Sequence, residues 1–411
     1  MFFQKTIFPD MKTFINILFV IISFSINAQT SDKAIVSGNN LFTFKLYTEL
    51  KNEKPNQNLF FSPFSISSAL AMTYAGARGE TEKQMSQALN FSLDQSTFHP
   101  FFGALIDKIE KDTSISTQLL IANSLWAQKD FKFLDSFFNL VEAYYKSELT
   151  NVDFINDTAR EKTRKEINSW VEQKTRDKIK EIIQKGDIDS QTALVLVNAI
   201  YFKDEWESTF DSLKTEVKPF YLNSNDTIHT AIMNKKENLK YYENSDMQVV
   251  EIPYKNNKLS MMIFLPKEND GIETMESSLN NGLYSEVSTS LKISNVELSL
   301  PKFKTTFDFK LNTTLKKLGM PIAFDGDADF SGMTGSPNLY ISHVIHQAFI
   351  NVNETGTEAA AATAVIMRFT SFHVDNNFKI FNADHPFIFL IKDNATGSIL
   401  FMGKIMNPKG E

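Results

Sequence analysis

Glu354-Thr355-Gly356-Thr357-Glu358-Ala359-Ala360-Ala361-Ala362-Thr363-Ala364-Val365, running on into Ile366-Met367-Arg368-Phe369-Thr370-Ser371, is the stretch on which the reading of this 411-residue chain turns. On propensity alone it is a helix: Thr357 is a fair N-cap, Glu358 suits a first turn, and alanine is the best helix former. The same residues also suit a strand that enters between two strands already packed over a core, because such a gap admits only small side chains. Gly356 gives that segment the dihedral freedom of a hinge, and Thr357 is small enough to enter first. With a period of two, Thr357, Ala359, Ala361, Thr363, Val365 and Met367 share the buried face. Glu358, Ala360, Ala362, Ala364, Ile366 and Arg368 then point outward, with both charges on the solvent side. A slip by one residue would bury Glu358 and Arg368, at a cost of several kcal/mol each unless paired.

Working outward, the composition is that of an ordinary globular protein, with 42% hydrophobic and 22% charged residues. Length alone suggests two or three domains, yet no repeat, low-complexity tract or shift in composition marks a boundary. The net charge of −7 argues against nucleic acid as the main partner. No run of lysines or arginines offers a polyanion site. The basic residues of Glu161 to Lys165 and Arg176 to Lys180 alternate with acids, as on a solvated helix face. The chain has no cysteine, which removes disulfides, a thiol nucleophile, cysteine-ligated zinc and a cysteine-linked lipid anchor. Lys12, the apolar run Phe14 to Ile26 and Asn27-Ala28-Gln29 read as a secretory signal cleaved after Ala28, although Ile26 is bulky for that position. Met11 is a second candidate start. The run is short for a spanning helix and is interrupted by Asn16, so no membrane partner is expected.

Several segments read as buried strands, being β-branched, aromatic and nearly continuous: Ala122 to Trp126, Leu194 to Phe202, Val250 to Tyr254, Ser260 to Pro266, Glu297 to Phe303, and the C-terminal pair Phe387 to Ile391 and Phe401 to Ile405. Asn58 to Leu70 reads as an apolar strand, a Ser62-Pro63 helix start and a buried helix, closed by the turn around Gly76 to Thr81. Hydrolase framing is missing. There is no Gly-x-Ser-x-Gly elbow, no His-Glu-x-x-His and no phosphate loop, and nothing suggests a metal or a cofactor.

Together these segments, from about residue 36 to the end, resemble the serpins, inhibitors that let a protease cut a mobile loop near the C-terminus. The resemblance implies an α+β fold of mixed β-sheets surrounded by helices. With the N-terminal run read as a signal peptide over 1–28, it implies a single domain over 29–411 and a reactive-centre loop over about 354–378. A secreted or periplasmic, monomeric, bacterial inhibitor of serine proteases, and of cysteine proteases as a further class, is the expected type. Its hinge would be Glu354, Gly356, Thr357, Glu358, Ala359, Ala360, Ala361, Ala362 and Thr363. The usual count from hinge to cut places the reactive bond at Thr370-Ser371, which suits an elastase-like protease. Arg368 would serve a trypsin-like enzyme and Phe369 a chymotrypsin-like one.

By the same resemblance, Trp206 lies where the loop first enters, Lys302 and Glu354 form a salt bridge at the top of the sheet, and His346 joins a buried polar cluster with Ser62, Ser65 and Asn198. Trp206 also reads as a plain core aromatic, and Lys302–Glu354 as a surface pair worth about 0–1 kcal/mol. Before cleavage Thr357 is expected to be exposed, so that Thr357→Arg would block insertion and spare the uncut fold. A non-inhibitory serpin acting as a binding or chaperone protein is the alternative, but such relatives carry bulky residues or proline in the hinge.

Overall fold

The structure, a computed structural model, describes residues 11–111, 117–357 and 378–410, with side chains from Thr30 onward. Helices α1 (Met11–Glu53), α2 (Pro63–Tyr74), α3 (Gly79–Leu89), α4 (Gln95–Lys111), α5 (Asp135–Tyr145) and α6 (Asp157–Lys174) account for much of the first half. One sheet has six strands, in spatial order β10 (Phe303–Lys310), β11 (His343–Asn353), β12 (Gly356–Thr357), β4 (Leu194–Glu205), β2 (Gln118–Gln128) and β3 (Glu148–Val152). The second is built from β1 (Leu59–Phe61), β15 (Ile399–Ile405), β14 (Phe387–Asp393), β8 (Leu259–Pro266), β7 (Met247–Pro253), β6 (Asp226–Glu243), β9 (Lys292–Pro301) and β13 (Lys379–Asn382), with β5 (Glu216–Asn223) on β6. Among the described residues no helix is long and apolar enough to cross a membrane.

Strand β4 explains the layering. Its run Leu194-Val195-Leu196-Val197-Asn198-Ala199-Ile200-Tyr201-Phe202 is buried throughout, as a strand covered on both faces must be. Leu194, Leu196, Ile200 and Phe202 face the main core with α2 and the second sheet. Val195, Val197, Ala199 and Tyr201 face a separate core with Ile167 and Val171 of α6. The outer face of the sheet is therefore roofed where solvent was expected. Helix α2 is buried at every position, so it carries no amphipathic pattern; Pro63 occupies its first turn and Ser62 caps it, its Oγ accepting from the Ser65 N–H at 3.1 Å.

One expected helical face is not helical. Helix α6 covers Glu161 to Lys165, but Arg176 to Lys180 lies beyond its end at Lys174. Arg176 and Asp177 take left-handed backbone angles, φ 53° and 62°. That turn redirects the chain so that Ile179, Ile182 and Ile183 enter the core under α6, and burying three isoleucines outweighs the charge alternation that suggested a longer helix.

Candidate functional site

The six-stranded sheet is closed below and parted above. From His343↔Val195 to Phe349↔Tyr201, β11 and β4 pair directly and in parallel. Higher up, the two residues of β12 lie between them, antiparallel to both: Thr357 pairs with Val352 and Asp204, and Gly356 with Asn353 and Glu205. The stretch that decides the fold therefore starts as a strand. Its continuation Glu358, Ala359, Ala360, Ala361, Ala362 and Thr363, and the candidate bond residues Arg368, Phe369, Thr370 and Ser371, lie outside the described residues.

Gly356 is required by close approach as well as by conformation. Its φ is +156°, and a Cβ there would come within 2.1 Å of the Asp204 carbonyl oxygen. Thr357 corrects an expectation: it is fully buried, and its Oγ1 lies 2.6 Å from Tyr254 Oη. Gly356 has already turned the chain into the sheet, so the first hinge side chain is in place in the uncut molecule. Tyr254 stacks on Trp206 with ring centroids 4.6 Å apart, and burial pushes its hydroxyl well above the usual tyrosine range.

The segment Trp206 to Phe210 crosses the hinge as a strap. Trp206 donates its backbone N–H to Thr355 O at 3.0 Å and its indole Nε1–H to Asn353 O at 3.0 Å, while the Phe210 N–H reaches Glu354 O at 2.8 Å. Trp206 is thus both a core aromatic and a holder of the hinge backbone. Lys302 Nζ is 2.9 Å from Glu354 Oε2, and Thr215 Oγ1 donates to Glu354 Oε1 at 2.9 Å. The Glu354 side chain is only 15% exposed against 40% for Lys302, so the pair is half-buried and not a plain surface pair. Burial pushes the Glu354 carboxyl up, but Lys302 and Thr215 more than offset it and leave it below the usual range.

In the middle of the sheet, Asn123, Asn198 and His346 stand in one row across β2, β4 and β11. The Ser62 backbone N–H donates to His346 Nε2 at 3.2 Å, so the imidazole proton sits on Nδ1, facing Asn198 Oδ1. Asn198 Nδ2 donates to Ser65 O at 3.1 Å and to Asn123 Oδ1, and Asn123 Nδ2 continues to Ser68 Oγ at 3.1 Å. Ser62 Oγ is committed to Leu400 O at 2.6 Å. Both ring nitrogens are taken, by a backbone N–H and an amide oxygen, and the Ser62 hydroxyl donates elsewhere, so the Ser62/His346 pair is not arranged as nucleophile and base. Burial pushes His346 down to about 3, keeping it neutral. All four expected members of the cluster meet; Asn123 and Ser68 are additions, foreshadowed only as polar residues within buried runs.

Asp204 is a further addition. Even positions of β4 face the main core, and Asp204 follows Phe202 in that parity. It is fully buried beside Thr357, taking hydrogen bonds from Thr117 Oγ1 at 2.9 Å and the Glu205 N–H at 2.8 Å. Burial pushes its carboxyl up to about 6, against the opposing pull of these two hydrogen bonds and of the Lys255 charge. Among the described residues no group of carboxylates and histidines could hold a metal.

Comparison with known proteins adds the family. The model described as serpin (serine protease inhibitor) matches residues 37–408. The leukocyte elastase inhibitor of Xenopus laevis is 41% identical over 374 residues, covering 89% of this chain and 97% of that one. An uncharacterized serpin-like protein of Thermococcus kodakarensis is 39% identical over 378 residues, covering 92% of this chain and 87% of its own length. Among solved structures, human thyroxine-binding globulin superposes with a TM-score of 0.83 at 32% identity, over 92% of this chain and 100% of that one.

Proposed function

This chain belongs to the serpin family, with its α+β fold and its protease inhibitors rather than enzymes, and we propose that it is a suicide-substrate inhibitor of serine proteases. The observation that carries the reading is the two-residue strand Gly356–Thr357, already seated between β4 and β11. Continuing its register one residue at a time would put Ala359 between Phe202 and Ile350, Ala361 between Ile200 and Ala348, and Thr363 between Asn198 and His346. The even residues Ala360, Ala362 and Ala364 would come opposite Tyr201, Ala199 and Val197, beneath α6. Small side chains are needed on both faces of such a strand, which accounts for the alanines better than a solvent-facing side does. Glu358 would come beside Lys203 and Asn351, at the open top.

The chemistry is a race. A serine protease attacks the loop carbonyl, the peptide bond breaks, and the new carbonyl carbon stays esterified to the protease serine while the chain beyond leaves with a free amine. Water must then hydrolyse that ester. If the cut loop inserts first, it carries the acyl-enzyme along the sheet; from Glu354 to Thr370 an extended strand spans about 55 Å at roughly 3.3 Å per residue. Each added ladder hydrogen bond contributes about 0.5–1.5 kcal/mol net, so the uncut chain is metastable relative to the cut one.

An elastase-like target, cut at Thr370-Ser371, is favoured by the small side chains there and by relatives named as leukocyte elastase inhibitors. Arg368 and Phe369 are the alternative sites, for trypsin-like and chymotrypsin-like enzymes, and cysteine proteases are a further target class. A secreted or periplasmic setting, with residues 1–28 removed, rests on the leader pattern; the remaining 29–411 would act as one monomeric domain with its loop over about 354–378. The non-inhibitory alternative is disfavoured by the small hinge.

The test is incubation with a panel of serine and cysteine proteases. At least one serine protease should give a covalent one-to-one band on a denaturing gel, with a released C-terminal peptide starting at Ser371 by mass spectrometry. A peptide starting at Thr370 or Phe369 moves the bond to Phe369 or Arg368. Release of every protease in active form overturns the inhibitory reading.

A further inference from the structure

The strap Trp206 to Phe210 holds the carbonyls of Asn353, Glu354 and Thr355, and something must hold the strap. On one side, the Glu207 N–H donates to Pro253 O at 3.0 Å, at the end of β7. On the other stands Lys235 of β6, a buried cation to which the loop-insertion chemistry gives no part. Its side chain is 8% exposed. Its Nζ donates to Ser208 O at 2.9 Å, lies 4.6 Å from the centroid of the Phe210 ring and is 2.7 Å from Glu237 Oε2. All three contacts bear on one task. The carbonyl and the ring belong to the strap, and Glu237 is the carboxylate, two residues along the same strand, that offsets the cost of burying the ammonium. Strand β6 is itself fixed, since Lys235 pairs with Leu298 of β9.

Building on the inhibitory reading above, we propose that Lys235 is a positioning residue that restrains the hinge: it ties the strap to the second sheet, and the strap, which continues from β4 and holds the carbonyls at the end of β11, in turn keeps the upper ends of those two strands from parting further before the loop is cut. The chain of contacts is continuous from Lys235 through Phe210 and Ser208 to the backbone of Glu354, and Trp206 extends it to Asn353 and Thr355. Among the described residues, the Lys235 side chain makes its polar contacts with the strap and Glu237 and not with the hinge residues themselves. Loss of its charge therefore loosens the strap while leaving every hinge side chain unchanged.

The experiment compares the full chain with Lys235→Met, which keeps an unbranched apolar stem against Phe210, and Lys235→Arg, which restores a cation. Each uncut protein is held at 37 °C, and its spontaneous conversion to a form of raised melting temperature is timed, separately from its ability to form covalent complexes. Lys235→Met should convert roughly tenfold faster than the parent, and Lys235→Arg should return toward the parental rate. A purely structural role would instead lower the melting temperatures of cut and uncut forms alike with no faster conversion, and that outcome overturns the proposal. If the parent traps proteases and Lys235→Met converts at the parental rate, restraint by Lys235 fails while the inhibitory reading stands. If no protein traps a protease but Lys235→Met still converts faster, the inhibitory reading fails and the restraint stands.

Discussion

The top and the middle of the slot between β4 and β11 are held in opposite ways. At the top, the ties are made to the hinge itself: Trp206 and Phe210 donate to its carbonyls, Lys302 and Thr215 hold Glu354, and Tyr254 meets Thr357. Continuing the register from Thr357 down the slot would leave these bonds in place. In the middle, the tie joins the two flanking strands directly, His346 to Asn198. Any strand that enters further must part them. The top is thus built to keep what it has received and the middle to refuse it, so the polar row of the middle would add a second barrier to insertion beside the restraint on the strap.

The largest expected effect breaks the top. Thr357→Arg puts a guanidinium where a fully buried hydroxyl meets Tyr254, between two strands already in register. Its desolvation costs on the order of 5 kcal/mol or more unless the wedge is expelled. The variant should be cut as a plain substrate, releasing active protease, and its uncut form should also melt well below the parent. An uncut melting temperature equal to that of the parent would return Thr357 to an exposed loop.

A smaller effect tests the middle. Asn198→Ala leaves the His346 Nδ1–H and Asn123 Oδ1 without their partner in a buried site, and each such group costs about 1–3 kcal/mol. The uncut chain should lose about 2–4 kcal/mol in denaturant unfolding. The cut chain should lose less, because Thr363 would bring a hydroxyl between those groups. Equal losses in the two forms would contradict the register drawn from Thr357.

The comparison also shows what was legible in the residues. The small-residue hinge and the buried strands could be marked in the sequence, because parity and residue size are local properties; the polar cluster of Ser62, Ser65, Asn198 and His346 came only from the resemblance, since its members lie far apart in the chain. The burial of Thr357 could not, because it depends on how far β4 and β11 stay parted, a matter of tertiary packing. Asp204 was hidden by its neighbours: Lys203 and Glu205 make the end of β4 look like a solvated turn, and only the parity from Phe202 reveals that its side chain points inward. The turn at Arg176 was missed for a related reason. Alternating charge signals exposure, and it says nothing about whether the backbone continues as helix.

Asp204 gives the finest test, because acid moves the two ends of the slot in opposite directions. Its carboxyl is raised from 3.8 to about 6 by burial, so the folded chain binds this proton more tightly than the unfolded one. Its contribution to stability is absent above about pH 6 and grows as the pH falls toward 4. His346 is lowered from 6.5 to about 3; its contribution is full above pH 6.5 and is lost progressively as the pH falls toward 3. Asp204→Asn removes the first effect and leaves the second. A shift of about two units corresponds to roughly 3 kcal/mol at most, so at pH 7.5 the variant should be more stable than the parent by about 1–3 kcal/mol. That gain should shrink to nothing near pH 4, where the parent's Asp204 is already protonated in the folded chain. Urea midpoints measured from pH 4 to 7.5, with unchanged slopes, read the difference directly, because the other carboxylates are common to both proteins and cancel. A gap that is absent at pH 7.5, or that widens in acid, would mean that Asp204 is not carried as a buried anion beside the hinge.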